Sequence, residues 1–199
     1  NEWQNRNRIK TAQGWQWLTV PVLYRFGEKI SQVAIDNKTN WPNKHWQALV
    51  TNYSKASYFH RYKDFFKETY SRNWQYLAEL NIHITKYLIE MLGITPEKVL
   101  RASELRLDEE PSQRLIDICK QVGADTYLSG EGGRNYLDLK RFVHAGIEVI
   151  FQDFRYPIYR QLYARGGGFQ PGMSIIDMLF NYGQDSLPLL RNERETKKV

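Results

Sequence analysis

A chain of 199 residues with 42% hydrophobic and 14% aromatic content can bury a substantial core and fits one domain better than two. Its formal charge of +6 sits mostly at the ends, in Arg6, Arg8 and Lys10 against Glu2, and in Arg191, Arg194, Lys197 and Lys198 against Glu193 and Glu195. A nucleic-acid protein needs a continuous basic face over its fold, so a nucleic-acid partner is disfavoured and an anionic small ligand is favoured.

One cysteine, Cys119, excludes an internal disulfide and a cysteine-rich zinc site. Its neighbours Leu115, Ile116, Ile118 and Val122 follow helical spacing, which makes it a packing residue rather than a nucleophile. The longest apolar runs fall far short of the ~20 residues of a membrane span, and no secretory leader pattern opens the chain. A soluble, cytoplasmic protein is expected. The first residue is asparagine, which reads as a start after a cut.

In chain order, Asn5 to Lys10 predicts a strand with Asn5 and Asn7 on one face and Arg6, Arg8 and Lys10 on the other, because strand side chains alternate. Three cations on one face repel unless an anion sits there; a solvated, charge-guarded edge strand is the other reading. Gln13-Gly14 predicts a turn and Trp15 to Val22 a returning strand, hence a hairpin. Ile30 to Asp36 predicts a further strand, and 37–43 a linker containing Trp41-Pro42. A helical segment follows, carried by Trp46, Leu49, Tyr53, Phe59, Tyr62, Phe66, Leu77, Leu80, Ile84 and Leu88 up to a stop at Gly93. Helical spacing marks these aromatics as core. His45 and His60 are too isolated for a metal site, and none is expected; His45, beside Lys44 and Trp46 at a helix start, stays a functional candidate.

Beyond Gly93, Lys98 to Ser103 predicts a strand, Ser112 to Val122 an amphipathic helix, Asp125 to Ser129 a strand, Asn135 to Ala145 a helix and Ile147 to Phe151 a strand. That alternation implies an α/β fold: a mostly parallel sheet flanked by helices, with the N-terminal hairpin and the inserted helical segment as additions. Ligands of such sheets bind outside the carboxyl ends of the strands. The rule gathers Ser103-Glu104, Ser129 to Arg134 and Gln152-Asp153 on one rim. There, Ser129, Gly130, Gly132, Gly133, Arg134 and Asn135 form a glycine turn whose free N–H groups suit an anion, assisted by the following helix N-terminus. The third glycine of the dinucleotide fingerprint is absent, Asn135 standing in its place, and no phosphate-loop Lys-Ser/Thr follows; a ligand-free turn is the alternative. Phe154 to Gly172, with Gly166, Gly167 and Gly168, predicts a loop covering that rim. Ser174 to Tyr182 predicts a helix with Ser174 at its N-cap and Asp177 in its first turn, and 192–199 a disordered tail.

The chain resembles the WbqC-like protein family over nearly its full length. The resemblance is carried by Asn5 to Lys10, Gly14 to Val22, Lys44-His45-Trp46, Arg101 to Leu105, Thr126 to Gly130, Gly133 to Leu137, Phe151 to Phe154 and Ser174 to Asn181. It implies a bacterial cytoplasmic protein of surface-polysaccharide or O-antigen synthesis that transfers glycine or another acyl group to an amino sugar. Family members usually open with a strand, a His-Gln-Pro-x-Tyr-x-Pro-Trp loop and an Asp-Asp strand, and this chain begins after both. That opening is similar to the nucleotide loop of adenylate-forming ligases, so ATP or a nucleotide-sugar is the candidate cofactor or substrate. In the enzyme reading Arg6, Arg8 and the glycine turn hold phosphate, and Asp153, Glu104 or His45 is the base. The alternative is a non-catalytic nucleotide- or sugar-binding module, with Trp3, Trp15, Trp17, Trp41 and Trp46 as sugar platforms.

Overall fold

The computed structural model describes residues 4–163 and 168–195; Trp3, Gly166, Gly167 and the last residues of the basic tail lie outside them. The chain divides into two compact units, Asn1–Thr95 with Tyr156–Val199, and Pro96–Arg155.

In the first unit, β1 (Arg6–Thr11) and β2 (Gly14–Thr19) form the expected antiparallel hairpin, in the register Arg6↔Thr19, Arg8↔Trp17 and Lys10↔Trp15. Gly14, at φ 129°, closes the turn where a side chain would be strained. β3 (Val22–Leu23) pairs antiparallel with β4 (Ala34–Ile35). The strand expected over residues 30–36 is therefore short, because β3 offers only two residues to pair with, and Ile30–Gln32 coils into an exposed 3-10 turn.

Three helices follow: α1 (Trp41–Tyr53), α2 (Phe59–Ser71) and α3 (Leu77–Met91). Pro42 sits in the first turn of α1, where its missing N–H costs nothing. Helical spacing buries Trp41, His45, Leu49 and Tyr53 on one face of α1 and Phe59, Tyr62 and Phe66 on one face of α2. Leu49, Tyr53, Phe59, Tyr62 and Phe66 form one core with Ile9, Leu179 and Phe180, and Trp41 joins a second with Val20, Val33, Ile35, Leu77 and Leu80. The ring of Phe180 lies 5.0 Å from Tyr53, 5.2 Å from Phe59 and 5.5 Å from Phe66. The helical aromatics are packing groups, as their spacing predicts.

The second unit starts with α4 (Pro111–Val122), which Glu110 caps by accepting from the Ser112 and Gln113 amides and which Gly123 ends at φ 74°. β5 (Thr126–Ser129), α5 (Leu139–His144) and β6 (Glu148–Phe151) complete one βαβ unit, with Ser129 opposite Phe151. Ile116, Cys119, Leu137, Phe142 and Ile147 fill its core, so Cys119 is a buried packing group.

The expectation of a mostly parallel sheet is corrected. Among the described residues there are three two-stranded sheets, and only β5–β6 is parallel. The strand expected at 98–103 does not form: Val99 and Leu100 are half exposed, and Ala102–Glu104 makes a 3-10 turn.

Back in the first unit, α6 (Ile175–Tyr182) and α7 (Ser186–Glu195) follow the loop region. The backbone of 192–195, expected to be disordered, is thus helical, and 196–199 lie outside the described residues.

Candidate functional site

Strand alternation and the hairpin register put Arg6, Arg8 and Lys10 on one face with Trp15 and Trp17. The Arg6 guanidinium carbon lies 4.3 Å from the Trp17 ring centroid. That of Arg8 lies 5.2 Å from Trp15 and 5.8 Å from Trp17. The two indoles meet edge to face at 5.5 Å, and each is 42% exposed. Such contacts contribute about 0.5–1 kcal/mol each at exposed sites, enough to hold an arginine in place without neutralising it. Among the described residues no carboxylate forms an ion pair with Arg6 or Arg8. Two positioned guanidiniums, without a carboxylate partner among the described residues, flank two half-exposed indoles. This is a surface suited to phosphate with an adjoining ring.

Lys10 leaves that row. It is fully buried, and its Nζ donates to the Thr11 carbonyl at 3.3 Å. The expectation of three cations on a solvent face is corrected to two. Burial lowers the pKa of Lys10, and the nearby Asp177 charge opposes that shift.

Asp177 is itself fully buried in the otherwise apolar run from Ile175 to Phe180. Its Oδ1 accepts from the Tyr53 hydroxyl at 2.7 Å. Its Oδ2 accepts from the Tyr159 hydroxyl at 2.5 Å and from Gln161 Nε2 at 3.1 Å. The Tyr53 oxygen in turn accepts from the Lys10 amide at 2.9 Å. Burial raises the pKa of Asp177, while the hydrogen bonds from Tyr159, Tyr53 and Gln161 and the charge of Lys10 pull it down. One carboxylate thereby ties α1, the hairpin and the segment after Tyr156 together.

Gly172, from the loop expected to cover the parallel rim, lies against this hairpin, and residues 164–167 of that loop lie outside the described residues. The Ser174 amide donates to the Arg8 carbonyl at 2.8 Å. Gly172, at φ 67°, leaves room for Arg8, since a Cβ there would stand 2.4 Å from an Arg8 Nη. The sequence placed Tyr53 in the core without its link to Asp177, and assigned Tyr159 and Gln161 no role. The signal that could have found them is an acid inside an apolar helix, which at 3.6-residue spacing faces the core.

In the second unit, the glycine turn lies at the carboxyl end of β5, as expected. The Gln152 amide donates to the Ser129 carbonyl at 2.8 Å, bringing Gln152-Asp153 to the same strand ends. The turn differs from its expected form in three ways. Gly130, Gly132 and Gly133 all lack positive φ, so no forbidden angle requires them. Glu131–Asn135 is a 3-10 turn rather than the start of a long helix. The following helix α5 is capped by the Asp138 carboxylate, which accepts from the Lys140 amide at 3.1 Å and brings its own anion to that terminus.

Gly133 has a packing reason to be small: a Cβ there would lie 2.0 Å from the buried Ser129 Oγ and 3.1 Å from Leu137 Cδ1. A Cβ on Gly130 or Gly132 would meet nothing within 4 Å. Arg134 lies over the Phe151 ring at 4.1 Å, and Asn135 is exposed.

The three candidate bases sit apart in role. His45 is buried, its Nε2 is 3.0 Å from the Thr19 carbonyl, and burial pushes its pKa down to about 4. It packs edge to face on Trp41 and Tyr70 at 5.2 and 5.5 Å, joining α1 to the hairpin. Glu104 is exposed on a 3-10 turn, 3.8 Å from Arg101, rather than at a strand end. Asp153 is exposed just past β6. His45, Arg6 and Arg8 belong to the first unit; Glu104, Asp153 and the glycine turn belong to the second. Among the described residues no group of three or more His, Cys, Asp or Glu is arranged to hold a metal ion.

Comparison with known proteins gives two findings. The WbqC-like protein family matches residues 1–188. The uncharacterized protein Rv1507c of Mycobacterium tuberculosis is 38% identical over 198 residues, covering 98% of this chain and 84% of the relative. No solved structure matches the chain.

Proposed function

The chain belongs to the WbqC-like protein family, and from that premise we propose that it binds an amino sugar carried on a nucleotide and transfers a glycyl or other acyl group to the sugar's amine in surface-polysaccharide or O-antigen synthesis. The observation that carries the binding half is the outer hairpin face, where Arg6 and Arg8 lie on Trp17 and Trp15 without a carboxylate partner among the described residues. A diphosphate takes both guanidiniums, and a half-exposed indole offers its surface to the C–H face of a pyranose or to a base. The proposed setting is the bacterial cytoplasm, where nucleotide-linked sugars are made; no helix among the described residues is long and apolar enough to cross a membrane.

In the reaction, the sugar amine attacks the acyl carbon, the new C–N bond forms, the bond to the donor's leaving group breaks, and the ammonium proton passes to a base. ATP is the proposed activator where the donor is a free amino acid. Asp153 is the proposed base for an acceptor held at the glycine turn of its own unit, since it is exposed while His45 is buried and held neutral. Ser129 to Asn135 is a proposed second anion site, in which Gly130 and Gly132 leave the backbone open to a ligand.

A second reading, a nucleotide-sugar-binding module without catalysis, is favoured by one observation. The titratable groups at the buried end of the hairpin face, Lys10 and Asp177, are both closed off from solvent. Thermal-shift titration with ATP, UDP-sugars and dTDP-sugars tests both readings: stabilisation by at least one nucleotide-sugar is expected, and none with any of them contradicts both. Asp153→Asn separates them. Transfer reads as lost turnover with binding kept, whereas a module has no turnover to lose.

A further inference from the structure

The face of the hairpin opposite the arginines bounds a cavity of about 330 Å³. That volume falls at the lower end of the ~300–1,000 Å³ typical of small-molecule pockets. Its walls are apolar: Ile9 and Leu18 from the hairpin, Phe66 from α2, Ile84 and Leu88 from α3. Amides gather at the start of β1. Asn81 Nδ2 donates to the Gln4 carbonyl at 2.9 Å, and Asn5 Nδ2 to the Val20 carbonyl at 2.9 Å, so both pin backbone. Gln4, which also lines the cavity, keeps its Oε1 buried and without a hydrogen-bond partner among the described residues.

Among the described residues, Arg6 is the one charged residue of these walls. Its guanidinium lies over Trp17 on the other face of the strand. His45 is buried, with its Nε2 on the Thr19 carbonyl. Among the described residues, no acidic residue and no lysine lines the cavity. An ion entering it would lose its hydration with nothing to replace it, whereas an apolar chain gains by burial and a single N–H satisfies Gln4.

We propose that this cavity is a binding site for a short uncharged aliphatic group bearing one N–H donor, of the kind presented by an N-acyl amine. The apolar walls take the aliphatic part, and Gln4 Oε1 takes the N–H. The site is separate from the anion-binding face and stands whether or not that face holds a nucleotide.

The test is a titration of the isotope-labelled chain, followed by NMR, with three probes: N-hexylacetamide, hexanoate and hexyl methyl ether. Saturable shifts with the amide are expected, with affinity for hexanoate about tenfold weaker. Ile84→Trp, which fills the cavity, abolishes amide binding. Gln4→Leu, just before β1, weakens the amide several-fold and leaves the ether unchanged, and decides the matter if Ile84→Trp does not fold. The proposal is overturned if the amide gives no saturable shifts, if hexanoate binds as well, or if neither variant alters amide binding.

Discussion

The outer hairpin face and the glycine turn both present what anion binding asks of a sequence, small residues at a turn with arginine nearby, yet the fold treats them differently. On the hairpin, alternation places Arg6 and Arg8 on indoles, and the strand is fixed from behind by Ile9 in the core and Lys10 near Asp177. In the turn, two of three glycines answer to no strain and no crowding, the third is a packing residue, and the helix that follows is already capped by Asp138. Held charges on a braced strand make a preorganised site; a turn whose polar ends are already used has less to offer a ligand.

The comparison breaks most easily at Asp177. Asp177→Ala leaves the buried Tyr53 and Tyr159 hydroxyls without their acceptor and removes the charge near buried Lys10, and a loss of about 3–5 kcal/mol in urea denaturation is expected; a loss under 1 kcal/mol would mean the hairpin is not braced there. Next is His45, whose pKa falls from 6.5 to about 4 on folding. Its contribution is complete above the unfolded value and disappears as pH falls from 6.5 toward 4, by about 3 kcal/mol in all. Denaturation midpoints across that window should show the fall, and His45→Gln should flatten it.

On the side of the turn, Gly133→Ala drives a Cβ into Ser129 Oγ and Leu137, and a cost of about 1–3 kcal/mol is expected. Gly130→Ala and Gly132→Ala, facing open space, should stay within about 0.5 kcal/mol. Equal costs at all three positions would show that the turn is strained after all. Arg8→Gln removes the surface cation–π contacts with Trp15 and Trp17 and should lower stability by about 1 kcal/mol.

The hairpin was legible because period-two alternation and a Gln-Gly turn are local signals. So were the helical aromatic core, α4 and the β5–β6 pair, each carried by its own spacing. Asp177 was legible only as an acid in a helix's first turn, since its meaning depends on Tyr53, 124 residues away, and on Tyr159. The parallel sheet was over-read at 98–103, where apolar Val99 and Leu100 resemble a strand but find no neighbour to pair with. The glycine turn was placed correctly at a strand end and misjudged in conformation, because glycine permits positive φ without requiring it.

The central claim is that the hairpin face, rather than the glycine turn, carries the first anion site. Calorimetric titration of a UDP-sugar into three proteins tests it: the parent chain, the Arg6→Gln/Arg8→Gln double variant and Arg134→Gln. The account predicts affinity lower by about tenfold or more in the hairpin variant and unchanged in Arg134→Gln. Binding that survives in the hairpin variant and is lost in Arg134→Gln would contradict it.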